Sequence, residues 1–241
     1  MIFMSQHNQT KTSSLTARLC GLALVLSAFT AMASAASAPD ASAVVSAADS
    51  LARLKAGNAR FVAERAENPH RSVTRRGELI GGQAPYAIVV SCADSRIPPE
   101  LVFDEGLGDL FVIRVAGNVL NDQIIGSIEY AVANLGSRLV VVLGHENCGA
   151  VTAARETVAA GSKAPGHIQS ILEAIRPAVE ATRGKGLADT AQANVRLAVE
   201  ALKQSKPILQ EQVAKGAVMV VGANYLLANG KVEFGPVAAV K

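Results

Sequence analysis

Four short, unbroken apolar runs constrain this chain more than any other feature. They are Tyr86 to Ser91 (YAIVVS), Leu110 to Val115 (LFVIRV), Leu139 to Gly144 (LVVVLG) and Ala217 to Gly222 (AVMVVG). Side chains on a strand alternate between its two faces, so a continuous run of Val, Ile and Leu suits a strand covered on both sides. Helical patterns separate several of these runs. Gln123 to Leu135 lies between the second and third, while Asn147 to Ala160, His167 to Thr182, Leu187 to Gln204 and a shorter Pro207 to Lys215 lie before the fourth. Strands alternating with helices predict an α/β fold with a mostly parallel central sheet flanked by helices.

The flanks add two elements. Leu51, Leu54, Phe61 and Val62 recur at helical spacing and predict an N-terminal helical arm over Ala47 to Glu67. Between it and the first strand, Asn68 to Glu78 is polar, with Pro69 and several Arg residues, and reads as an extended arm or loop. Near the other end, Asn229-Gly230 between apolar flanks signals a two-residue hairpin turn. It predicts a final antiparallel edge strand over Lys231 to Gly235. Residues 39–241 thus form a single domain, with no internal repeat.

Residues 1–38 read as a secretory signal and its cleavage region. Lys11 and Arg18 precede the apolar run Leu19 to Ala31, and Ala33-Ser34-Ala35 and Ala36-Ser37-Ala38 both offer a small-residue cleavage pattern. The run is shorter than the ~20 residues of a spanning helix, so cleavage is favoured over anchoring. Export, with the periplasm as destination and no membrane attachment after cleavage, is the expectation. The formal charge of +3 includes those two cations, so the remainder is close to neutral. No Lys/Arg cluster is present to bind nucleic acid.

Reactive residue types gather at two strand ends. Ser91-Cys92-Ala93-Asp94-Ser95-Arg96 follows the first run, and Gly144-His145-Glu146-Asn147-Cys148-Gly149 follows the third. Ligands of open parallel sheets bind at the carboxyl ends of strands, so the two segments converge if their strands are neighbours. Cys92, His145 and Cys148 form a donor set suited to Zn²⁺, and three protein ligands leave a fourth tetrahedral position open. Two thiolates cancel the ion's formal charge, so a bound water should have a pKa somewhat above the ~7 reached with three imidazoles, and activity should favour mildly alkaline pH. Asp94, two residues past Cys92, can reach the fourth position or accept a hydrogen bond from the water there. Arg96 offers a planar fork that would keep Asp94 ionised and off the metal.

Each piece has a plainer reading. A cysteine at a strand end is often a small apolar residue, and two cysteines in an exported chain can form a disulfide. Once residues 1–38 are removed, Cys20 goes with them and only Cys92 and Cys148 remain. His70 in the polar arm reads as solvated and His167 as a surface group. Glu146 and Asn147 read as polar surface or helix-capping residues.

Taken together, C-A-D-S-R at Cys92 to Arg96 and H-x-x-C-G at His145 to Gly149 resemble the β-class carbonic anhydrases. FVIRVAGN at Phe111 to Asn118, GSIEYAV at Gly126 to Val132 and LARLKAGNARFV at Leu51 to Val62 extend the resemblance over roughly residues 47–235. It implies reversible hydration of carbon dioxide to bicarbonate and a proton, with one Zn²⁺ per subunit on Cys92, His145 and Cys148. Asp94 and Arg96 would govern the fourth position. Gln83, ahead of the first strand, and the backbone of Gly149 would contact substrate. Phe111, Ala116 and Tyr130 would line an apolar pocket, partly across a subunit interface. A homodimer or a higher multiple of dimers is implied. The allosteric subgroup of that family has a Trp three residues before the first Cys ligand and a Gly just before it. Here those positions are Val89 and Ser91, which implies the subgroup whose zinc normally carries water.

Three rival functions remain. An enzyme for carbon disulfide or carbonyl sulfide could share the metal motif. A non-catalytic zinc module would normally have lost a ligand, Asp94 or Arg96, and all five are present. A redox role for Cys92 and Cys148 lacks a C-x-x-C pairing.

Overall fold

The computed structural model describes residues 45–235. The expected signal segment, residues 1–38, lies outside them. The sheet order is β2-β1-β3-β4-β5, from β1 (Ala87–Ser91), β2 (Leu110–Arg114), β3 (Leu139–His145), β4 (Met219–Tyr225) and β5 (Val232–Phe234). The first four strands are parallel, with Ile88 beside both Phe111 and Val140, and Val141 beside Val221. Only β5 runs antiparallel, with Asn224 opposite Glu233.

The apolar runs are continuous because both faces of the sheet are covered. Val89, Val141, Leu143 and Val221 pack on one face with Leu54, Val151 and Ile175. Those residues come from α1 (Ala47–Val62), α5 (Gly149–Ala160) and α6 (Ile168–Ala181). Ile88, Val90, Val140 and Val142 pack on the other face with Ile128, Val199 and Leu209. These belong to α4 (Asp122–Asn134), α7 (Leu187–Gln204) and α8 (Ile208–Ala214). The chain leaves β1 toward β2 on one side and returns through α4 to β3 on the other. The strand order therefore reverses between β1 and β3, the position at which open α/β sheets bind ligands at the carboxyl ends of their strands.

Several boundaries differ from expectation. The polar arm is not extended throughout: it contains α2 (Val73–Glu78) and a 3₁₀ turn at Leu79–Gly81. The Ser72 hydroxyl accepts the Arg75 N–H at 3.0 Å and starts that helix. The first helix stops at Val62 rather than Glu67. Beyond it, Asp104 on the loop after α3 (Pro99–Val102) accepts the N–H groups of Glu67 and Asn68, which holds the chain there as a pinned loop. β2 is an edge strand and is only half-buried, because nothing pairs with its outer side among the described residues. The hairpin between β4 and β5 is longer than two residues. Leu226 N–H donates to Lys231 O and Gly230 N–H to Leu226 O, both across the turn, and Gly230 adopts φ 74°. No helix among the described residues is long and apolar enough to cross a membrane.

Candidate metal centre

Cys92 lies one residue beyond the end of β1, and His145 is the last residue of β3. The adjacent strands bring the two together. Cys148 is the N-cap of α5, which begins at Gly149 rather than at Asn147. The turn into it places Asn147 at φ 49°, a left-handed conformation that Asn tolerates. The donor atoms of Cys92, His145 and Cys148 lie within 4.8 Å of one another, and all three residues are buried.

The geometry fits a tetrahedral cation. Two thiolates on one ion at the usual zinc–sulfur distance stand about 3.8 Å apart, and the Cys92 and Cys148 sulfurs are 4.0 Å apart. Both cysteines are free, so the disulfide alternative is not realised. The His145 ring nitrogen Nδ1 lies 2.7 Å from Glu146 O. A carbonyl only accepts, so Nδ1 is the donor here and Nε2 is the nitrogen turned toward the two cysteines. Nε2 is buried with no hydrogen-bond partner, the state of a nitrogen shaped to bind a metal. The Cys148 contact, against the opposing effect of burial, lowers the pKa of the Cys92 thiol. The same contact, together with burial, pushes Cys148 up.

Asp94 and Arg96 flank these donors. Arg96 Nε and Nη2 donate to the two carboxylate oxygens of Asp94 at 2.9 and 2.7 Å, and the Arg96 backbone N–H donates to Oδ1 at 2.9 Å. The fork holds the Asp94 carboxyl well below the usual carboxylate range, against the opposing effect of burial. Asp94 Oδ2 lies 3.8 Å from His145 Nε2, so the carboxylate borders the space between the donors. At Gly149 a side chain would meet nothing within 4 Å, so the backbone there opens onto free space.

Other expected residues are placed elsewhere. Gln83 is exposed beyond the amino end of β1, a full strand away from Cys92. Phe111 sits in β2 and packs with the opposite apolar cluster. Tyr130 is half-exposed on α4. Within one chain none of these three meets the metal donors. Ala116 is nearer, in the 3₁₀ turn Ala116–Asn118 that follows β2. His70 is not simply solvated: its Nδ1 pairs with buried Asp109 at 2.7 Å. Glu146 is more than surface or cap. Its carboxylate accepts Leu227 N–H at 2.9 Å and ties the β4–β5 hairpin to the site.

Two further residues, which the sequence does not single out, support the donors. Arg114 donates to Cys92 O at 3.2 Å and to Asp94 O at 2.6 Å, fixing the backbone that carries both residues. Gly117 N–H donates to Cys92 Sγ at 3.2 Å. Both lie within FVIRVAGN, but only the side-by-side pairing of β1 and β2 brings that stretch to Cys92.

A family profile described as carbonic anhydrase matches residues 87–232, which span the donors and the Asp–Arg pair. Carbonic anhydrase 2 of Mycobacterium tuberculosis is 42% identical over 181 residues, covering 74% of this chain and 87% of that protein. The carbonic anhydrase of Mycolicibacterium smegmatis is 42% identical over 183 residues, covering 75% and 89%. Among solved structures, a tetrameric β-carbonic anhydrase of Sordaria macrospora superposes with a TM-score of 0.61 at 26% identity, covering 78% of this chain and 98% of that one. With matching fold, matching family profile and a buried Cys-His-Cys donor set, this chain belongs to the carbonic anhydrase family, in its β class.

Proposed function

We propose that this enzyme hydrates carbon dioxide reversibly at a zinc ion held by Cys92, His145 and Cys148, with Asp94 and Arg96 controlling the remaining coordination position. The observation that carries this reading is the buried trio itself: sulfurs 4.0 Å apart beside a buried histidine Nε2 that has no hydrogen-bond partner. Zinc on such donors supplies the Lewis acidity that makes water nucleophilic near neutral pH.

The chain's own groups orient the reactants. Ionised Asp94 is acceptor-only, so it takes a hydrogen bond from the nucleophilic water and points the oxygen's lone pair away from itself. Arg96 occupies both carboxylate oxygens and keeps Asp94 from becoming a ligand. This engagement, with Val89 and Ser91 ahead of Cys92, supports the subgroup in which the fourth position is open to water. A crystal structure at low pH with Asp94 mainly on the metal would count against it. The two thiolates support higher activity at mildly alkaline pH, and a flat profile from about pH 6 to 9 would contradict that.

Gln83, Phe111 and Tyr130 serve a neighbouring subunit's site in this reading, which supports a dimer or a multiple of dimers. Sedimentation should then show no stable monomer. Residues 1–38 direct export, and mass spectrometry of the mature N-terminus should place cleavage near Ala35 or Ala38. Stopped-flow carbon dioxide hydration on metal-analysed protein tests the central proposal, with Cys148→Ser as control. Zinc-free protein, or activity surviving that substitution, would overturn it.

A further inference from the structure

Gly117 N–H reaches Cys92 Sγ at 3.2 Å from the short turn that follows β2. Gly117 and Asn118 are consecutive left-handed residues, at φ 69° and 44°. Within the turn, Asn118 N–H bonds back to Val115 O at 2.9 Å. The Asn118 side-chain amide nitrogen is buried without a partner, so it anchors nothing. The start of the turn is tied to the end of β1, where Val115 N–H donates to Ser91 O at 3.1 Å and Val115 O accepts the Ala93 N–H at 3.2 Å, and the Gly117 carbonyl is held from far along the chain. Asn194 Nδ2 on α7 donates to Gly117 O at 2.8 Å, and both residues are buried.

Helix α7 can deliver that amide because it sits close on the sheet. Val195, the next residue, rests on two glycines. A Cβ on Gly144 of β3 would meet Val195 Cγ2 at 2.5 Å, and one on Gly222 of β4 would meet Val195 Cγ1 at 2.7 Å. With no side chain at either strand position, α7 is seated against the backbone of both. The depth and rotation of Asn194 are thereby fixed. On the turn's other side Ile175 Cδ1 lies within 2.7 Å of where a Gly117 Cβ would be, so the glycine is also confined sterically.

We infer that Asn194 is a positioning residue for the metal centre: by holding Gly117 O it keeps Gly117 N–H aimed at Cys92 Sγ and moderates that sulfur's electron donation. The inference rests on reading Cys92, His145 and Cys148 as metal ligands. A thiolate that accepts an N–H bond donates less charge to its cation, and groups outside the ligand shell commonly change metal affinity about 10- to 100-fold.

The test uses cobalt(II) as a spectroscopic substitute for zinc in the full-length protein. Asn194→Leu keeps nearly the side chain's size but has no donor, and Asn194→Ala removes the group. In both, the thiolate-to-cobalt absorption should move to longer wavelength, and zinc binding measured by chelator competition should change about 10- to 100-fold. Thr190→Val is the control. It removes a buried bond of the same helix, Thr190 Oγ1 to Thr182 Oγ1 at 2.8 Å, and should leave the band in place. A band at the wild-type wavelength in the Asn194 variants overturns the inference, even with changed affinity. Wild-type protein that takes up no cobalt overturns the metal reading instead. Hydrogen exchange on the unsubstituted zinc protein gives an independent check. The Gly117 amide should exchange as slowly as the β1 amides, and fast exchange there refutes the proposal without any variant.

Discussion

Asn58 offers a sharp quantitative test of how the N-terminal helix is attached. It lies on α1, is 5% exposed, and has its side chain fully engaged. Its Nδ2 donates to Val102 O at 3.1 Å and to Gly230 O at 2.9 Å, while its Oδ1 accepts Val232 N–H at 2.8 Å. One amide thus joins α1 to the end of α3 and to the turn and last strand of the final hairpin. Asn58→Ala deletes three bonds and strands three buried backbone groups. At about 1 kcal/mol net per bond the loss is about 3 kcal/mol, and more if water does not enter the space. Urea unfolding of metal-free protein, at one fixed concentration, should show the midpoint fall by about 1–1.5 M for a slope of 2–3 kcal/mol/M. Ser127→Ala removes an exposed hydroxyl bond to Gln123 O and should shift stability by no more than about 0.5 kcal/mol. An Asn58→Ala midpoint within about 0.3 M of wild type, at unchanged slope, would show that these bonds do not hold the helix as described.

Three further outcomes are expected. Arg96→Gln removes the fork that occupies Asp94 and should lower kcat/KM for carbon dioxide hydration by about 10- to 100-fold with zinc content retained. Full activity would remove the pair from the mechanism. Gly57→Ala should destabilise, although Ala is the better helix former by about 1 kcal/mol, because its Cβ would fall inside the contact distance of the Phe103 carbonyl. A rise in melting temperature would show that α1 stands further off than described. Burial works against the Asp104 carboxylate, but Arg60 and the N–H groups of Glu67 and Asn68 outweigh it and lower its pKa. A folded pKa below the unfolded value stabilises above about pH 4 and is lost as pH falls through the folded value. Asp104→Asn should therefore cost about 1.5–3 kcal/mol at pH 7, and the gap to wild type in urea midpoints should close below about pH 4. A gap independent of pH would mean that charge is not what holds the arm.

Much of this protein was legible in its residues because the relevant signals are local. The four apolar runs required strands covered on both faces, and β1, β3 and β4 are covered in that way. Cys92 with Asp94 and Arg96, and His145 with Cys148, each sit within a few residues of a strand end, so strand direction alone puts them at one edge of the sheet. Where local pattern was weak, reading stopped short. β2 has the same apolar character as β1 but lies at the edge, because strand order depends on how distant segments pair and not on the strand's own residues. The polar arm took up α2 because Ser72 could cap it, a contest between turn and helix that composition does not decide.

The donor types, their spacing and the parallel sheet are thus properties of the sequence itself, since each follows from side-chain chemistry and a repeat of two or 3.6 residues. What tertiary structure alone decided is the support around the donors. Arg114 behind the Cys92–Asp94 backbone, Glu146 on the hairpin, Asn58 between helix and hairpin, and Asn194 under Gly117 are all contacts between segments far apart in the chain. The same step separated Gln83, Phe111 and Tyr130 from their own chain's centre. The physical reason is that a hydrogen bond acts over about 3 Å in space, whereas separation along the chain says nothing of that distance until the sheet has folded.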